Sequence, residues 1–111
     1  MELCFVILTS QSSAKKAWEA IEKLEKLAQF DLHSIEQPIA AGQWEKLALV
    51  CNESPIPVAL DEELIGIHDK AEKEKLLDAV RPQFLILKPS LHGGFSGCKE
   101  WIELAESRHI G

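Results

Sequence analysis

A chain of 111 residues with 46% apolar side chains has the length and composition of one small domain with a packed core. Its formal net charge is −6 and its basic residues are scattered between acids, which argues against nucleic acid or an anionic membrane as the main partner. No apolar stretch approaches the roughly 20 residues of a membrane span, and the opening MELCFVILT lacks the basic n-region of a signal peptide, so a buried strand is expected there.

Four strand–helix units follow in order. Phe5 to Thr9 is a β-rich apolar run, and the Ser/Gln cluster Ser10–Ser13 behind it can cap a helix. From Ala14 to Phe30 the apolar positions Ala17, Ile21, Leu24, Leu27 and Ala28 fall at helical spacing, with lysines and glutamates covering the remainder. A short second strand lies around His33 to Glu36 and is ended by Pro38. A helix from about Gln43 to Cys51 carries Trp44, Leu47, Ala48 and Val50. The turn Ser-Pro-Ile-Pro leads into a third strand, Pro57 to Leu60, and Asp61-Glu62-Glu63 opens a helical turn through Ile65. A third helix spans about Ala71 to Val80 and is broken by Arg81-Pro82. Phe84 to Lys88 forms the fourth strand. After Gly93-Gly94, a last helix turns Cys98, Trp101, Ile102 and Ala105 inward.

Strands that are apolar throughout, alternating with amphipathic helices, indicate an α/β fold with a parallel sheet buried on both faces. Four such units make half of an eight-stranded barrel or a small open sheet, and the pattern alone does not separate the two. No low-complexity segment, linker or domain boundary interrupts residues 1–111, so one domain is expected.

Cys4, Cys51 and Cys98 are odd in number and widely spaced, which fits a reduced, cytoplasmic setting and a space-filling role. The histidines His33, His68, His92 and His109 share no ligand spacing on a common helix, which disfavours zinc.

Three polar residues end successive apolar runs: Glu36 in HSIEQP, Asp61 in IPVALDEE and Lys88 in FLILKPS. Their separations of 25 and 27 residues suit one strand–helix–strand unit each, so a parallel sheet would bring them to one rim. Two carboxylates there can hold a hard cation such as magnesium, and a lysine can move a proton or stabilise an anion. Each residue also has an ordinary reading. Glu36 can be a solvated strand-end carboxylate, Asp61 a helix N-cap, Lys88 a snorkelling surface lysine, and Gly93-Gly94 a flexible turn. The joint order carries more than any one residue, because barrel active sites are built at the C-terminal ends of the strands.

The runs SIEQPI, PIPVALDEELIG and FLILKPSLHGGFSGCKEWIELAE resemble the barrel domain of the enolase superfamily, and within it the o-succinylbenzoate synthase family of menaquinone biosynthesis. The resemblance extends from about Ala17 to Gly111, while residues 1–16 look atypical, so the expected architecture is a half-barrel of strands three to six. It implies a magnesium-assisted lyase that dehydrates 2-succinyl-6-hydroxy-2,4-cyclohexadiene-1-carboxylate to 2-succinylbenzoate, a small-molecule carboxylate substrate. In that family magnesium binds the substrate carboxylate and stabilises the enediolate formed by proton abstraction. Carried over by motif, Glu36 and Asp61 are two of three metal ligands, Glu62 is a carboxylate behind them, and Lys88 is the lysine whose charge stabilises the enediolate. The third carboxylate ligand would fall near Ser10, where the sequence reads ILTSQSSAKK with no acid, and the principal acid–base lysine belongs to an earlier strand. Weak or absent magnesium binding and little or no turnover by this chain alone are therefore expected. An isolated half-barrel also leaves strand edges unpaired, so homo-oligomers through those edges are expected. A non-catalytic self-associating module, or a superfamily member acting as an N-acylamino acid racemase or dipeptide epimerase, are the alternatives.

Overall fold

The computed structural model of the chain describes residues 17–111 in full and the backbone of residues 3–6. The elements run β1 (Leu3–Val6), α1 (Ala17–Leu27), β2 (Leu32–Glu36), α2 (Trp44–Glu53), β3 (Val58–Leu60), a 3-10 turn (Glu62–Leu64), α3 (Lys70–Val80), β4 (Phe84–Leu85) and α4 (Gly94–Glu106). The strands form one parallel sheet in the order β1-β2-β3-β4. Sequential order in a parallel sheet is what barrel βα units produce, because each helix crosses over to deliver the next strand beside the last. The helices also touch in sequence, α1 on α2, α2 on α3 and α3 on α4, which places them as one layer on one face of the sheet.

Helix α1 buries Ala17, Ala20, Ile21 and Leu24, a stripe at three- and four-residue spacing that packs on the sheet. Ile35, Val58 and Leu60 meet that layer in a core completed by Leu47, Val50, Leu76, Leu77 and Trp101. Buried Lys73 is accommodated between α3 and α4 by Glu100, 2.8 Å away, and by the Trp101 ring, whose centroid lies 5.2 Å from the ammonium. At the surface, Arg108 pairs with Glu74 and Asp78 of α3, and this guanidinium holds the Asp78 carboxyl below its usual range. Burial pushes the Cys51 thiol up to about 12, and both Cys51 and Cys98 are buried free thiols, so the space-filling reading of these two holds.

Several boundaries differ from the sequence expectation. Helix α1 stops at Leu27 rather than Phe30, where the hydrogen bonds tighten to Phe30 N–H on Leu27 O and the Phe30 ring is left exposed. Strand β4 is regular only over Phe84–Leu85 rather than to Lys88. Its ladder bonds end with Ile86 N–H on Leu60 O, as the chain turns toward Pro89. In α4 the fourth inward residue is Leu104, not Ile102, which is half exposed beside the sheet edge. The expected first strand is present in part, as Phe5 and Val6, whereas Ile7–Thr9 and the cap cluster Ser10–Ser13 lie outside the described residues. Beyond β4, the backbone of Gly111 runs alongside it, donating to Gln83 O and accepting from Leu85 N–H.

Candidate functional site

Register fixes which face the polar strand ends share. Glu36 is aligned with Ala59, and Ala59 with Phe84. Side chains alternate along a strand, so Ala59 faces away from the helix-facing Val58 and Leu60, Glu36 and Asp61 fall on Ala59's side, and Lys88, past the end of β4, joins them through its contact with Asp61. In a closed barrel that side is the interior. The rim read from the sequence is thus assembled on the sheet face opposite the helices.

Asp61 and Lys88 meet directly: Lys88 Nζ donates to Asp61 Oδ2 at 2.9 Å. Asp61 keeps only 14% of its side chain exposed while Lys88 keeps 49%, so the carboxylate is the fixed partner and the ammonium swings in from solvent. The Asp61 contact raises the Lys88 pKa above its ordinary 10.5, with smaller contributions from the negative charges of Glu36 and Glu62. The stability this pair contributes is therefore complete at neutral pH and is lost as pH rises through the raised Lys88 value. Asp61 Oδ1 is buried with no hydrogen-bond partner among the described residues. Asp61 stands at the N-cap position of the 3-10 turn, yet its side chain makes no capping bond. Capping therefore does not explain this aspartate; an acceptor left open at a charged rim suits a cation or a donor on a ligand.

Two residues that the sequence reading passed over hold the rim together. Gln37 is buried with φ of +40°. Its Oε1 accepts from Asp61 N–H at 3.3 Å and Glu63 N–H at 3.1 Å, while its Nε2 donates to Ile39 O and to Glu63 Oε1. Glu63 in turn accepts from Gly42 N–H at 2.7 Å. The end of β2 is thereby bolted to the start of the turn after β3, which sets Glu36 and Asp61 relative to each other. Of the neighbouring glutamates, Glu62 is exposed and contributes charge, whereas Glu63 is buried and structural. The available signal was a Gln-Pro directly after a strand, matched 26 residues later by a glutamate in the next strand's turn.

Lys88 begins a tight loop. Gly93 and Gly94 both adopt positive φ, at 83° and 71°, which lets the chain reverse into α4; the glycine pair is a conformational requirement here. His92 is fully buried, and its Nδ1 accepts from Lys88 N–H at 2.7 Å. Among the described residues no group of three or more His, Cys, Asp or Glu is placed to hold a metal ion. Glu36 and Asp61 match magnesium in donor type alone, as hard carboxylate oxygens, and Ser10, the position of the expected third donor, lies outside the described residues. A cleft of about 480 Å³ lies at the opposite end of the strands, lined by Cys51, Asp78, Arg81 and Gln83 among others.

A parallel βα-barrel segment whose strand ends carry two carboxylates and a lysine defines the class to which this chain is assigned. The chain belongs to the enolase C-terminal domain-like family, whose family model matches residues 10–111. It is 54% identical over 92 residues to an o-succinylbenzoate synthase of Desulfotalea psychrophila, covering 83% of this chain and 25% of that protein. The crystal structure of MenC from Desulfotalea psychrophila superposes with a TM-score of 0.90 at 46% identity, over 100% of this chain and 30% of that one. An enolase from Bradyrhizobium, complexed with magnesium and mandelic acid, shares the fold with a TM-score of 0.82 at 22% identity, over 99% of this chain and 28% of its own. The chain thus spans about a quarter of the length of the curated relative it matches. The expected architecture, four consecutive βα units of a barrel, is the one observed.

Proposed function

We propose that this chain is the central part of the barrel of an o-succinylbenzoate synthase-type dehydratase, carrying Glu36 and Asp61 as metal donors, Glu62 as a flanking charge and Lys88 as the ammonium that faces the substrate. The observation that carries this is the Lys88–Asp61 contact on the interior side of the sheet, next to an open carboxylate oxygen. Similarity to an o-succinylbenzoate synthase and to MenC supports the choice of reaction within the superfamily. A racemase or epimerase of the same superfamily would use the same lysine. Bound between Glu36 and Asp61, magnesium would supply a Lewis acid for a substrate carboxylate. Asp61 is held in place by the Gln37 lattice, and Lys88 keeps its proton and its positive charge through neutral pH. No helix of the described residues is long and apolar enough to cross a membrane, and a cytoplasmic setting with a small carboxylate substrate is part of the same proposal.

Two donors give a weak magnesium site, because the ion prefers six well-placed oxygens and dehydrates reluctantly. Calorimetric titration of magnesium into the 111-residue chain should show weak binding that Asp61→Asn abolishes. Lys88→Met should tighten that binding, since the ammonium competes for Asp61. No turnover of the cyclohexadiene carboxylate is expected from this chain alone; turnover that disappears in Lys88→Ala would overturn that part. Tight magnesium binding unaffected by Asp61→Asn would remove the metal role from this rim.

One observation favours self-association as an additional property. Beside β4, an apolar cleft of 260 Å³ is lined by Leu85, Leu87, Ile102, Ala105 and Ile110 at the edge of the sheet. Gly111 already pairs with the edge of β4 at Gln83 and Leu85, so the surface offered to another copy is this apolar cleft rather than a bare strand edge. Sedimentation equilibrium at micromolar concentration should report a dimer or larger species, and a stable folded monomer would rule the idea out.

A further inference from the structure

We propose that His92 is the positioning residue for Lys88, a role that rests on Lys88 being the ammonium of the rim. The sheet itself does not hold Lys88. Regular pairing of β4 ends at Leu85, the last ladder bond is Ile86 N–H on Leu60 O, and Lys88 lies two residues further on. The loop takes over. Lys88 N–H donates to His92 Nδ1 at 2.7 Å, and His92 N–H donates back to Lys88 O at 3.0 Å. Leu91 N–H reaches the same carbonyl at 2.8 Å. This reciprocal pair closes a ring of five residues, so the Lys88 backbone follows wherever the imidazole is fixed.

The imidazole is fixed. His92 is 1% exposed. Helix α4 also presses on its backbone, since a Cβ at Gly97 would overlap the His92 carbonyl oxygen. An accepting Nδ1 requires the proton on Nε2, and Nε2 is buried with no partner among the described residues. A fold that leaves one ring nitrogen unsatisfied gains from the other, and the only bond the ring makes among the described residues is to Lys88. The chain from α4 through His92 to Lys88 and Asp61 therefore sets the reach of the ammonium to its carboxylate.

The test uses the 111-residue chain, with backbone amide exchange followed at Lys88. His92→Leu, similar in bulk but without an acceptor, should speed Lys88 amide exchange roughly tenfold. His92→Asn, which keeps an acceptor at the δ position, should restore the protection. Unchanged Lys88 amide protection in His92→Leu would overturn the proposal. If His92→Leu does not fold, the imidazole nitrogen shifts of the wild type decide: an unprotonated Nδ1 supports the role and a protonated Nδ1 refutes it. Neither readout depends on dehydratase turnover, so the reaction assignment can fail while the positioning role stands.

Discussion

Gln37→Ala should be among the most damaging single substitutions at the rim, lowering unfolding free energy by roughly 3 kcal/mol in urea denaturation. The Gln37 amide satisfies the N–H groups of Asp61 and Glu63 and also meets the Glu63 carboxylate in a buried setting. Each buried group left without a partner costs about 1–3 kcal/mol, and alanine at a φ of +40° adds backbone strain. Gln37→Gly should recover part of the loss, because glycine relieves the backbone while still lacking the amide. Gln37→Glu should be worse near neutral pH, since it sets a second carboxylate against Glu63. An alanine variant as stable as the wild type would show that the lattice joining β2 to the Asp61 turn is dispensable.

Trp101→Ala should cost more, about 3–5 kcal/mol, the range for truncating a fully buried large aromatic. Trp101 is the largest side chain with no exposure, and it fills the core between α4 and the sheet. Its removal also strips the ring from beside the Lys73 ammonium, leaving a buried charge held by Glu100 and a long contact to Gly97 O. Against the roughly 5–15 kcal/mol that stabilises a typical domain, that loss takes a large share. Trp101→Phe should retain most of the packing. Its indole Nε1 has no hydrogen-bond partner among the described residues, so no hydrogen bond seen there is lost with it. A urea midpoint for Trp101→Ala within error of the wild type would contradict the core assignment.

Both predictions concern residues whose importance the linear sequence conceals in different degrees. Trp101 sits on an amphipathic helix at a position that periodicity already turned inward, so its burial was legible. Ile102, next to it, was also assigned inward, and there the structure leaves a half-exposed residue at the sheet edge. Helical periodicity identifies a stripe, but its border depends on what the neighbouring strand supplies. Gln37 is the opposite case: a polar residue after a strand reads as solvent-facing, and only a carboxylate and two backbone donors 24 and 26 residues away make it a buried strut.

The rim residues divide in the same way. Spacing between apolar runs was enough to align Glu36, Asp61 and Lys88 at one end of a parallel sheet, because a βα unit has a nearly fixed length and parallel strands end together. Which face Glu36 and Asp61 share follows from strand register, since a slip of one residue would move each to the helix side. That Asp61 caps nothing and pairs with Lys88, that Glu63 and not Glu62 is buried, and that His92 anchors the Lys88 backbone were decided by tertiary contact. By itself, then, the sequence determined the order of the elements, the parallel sheet and the rim, since these rest on periodicity and chain length. Only the folded structure decided the partners within the rim, because hydrogen bonds between residues four to 27 positions apart depend on distances of a few tenths of an ångström that no local pattern encodes.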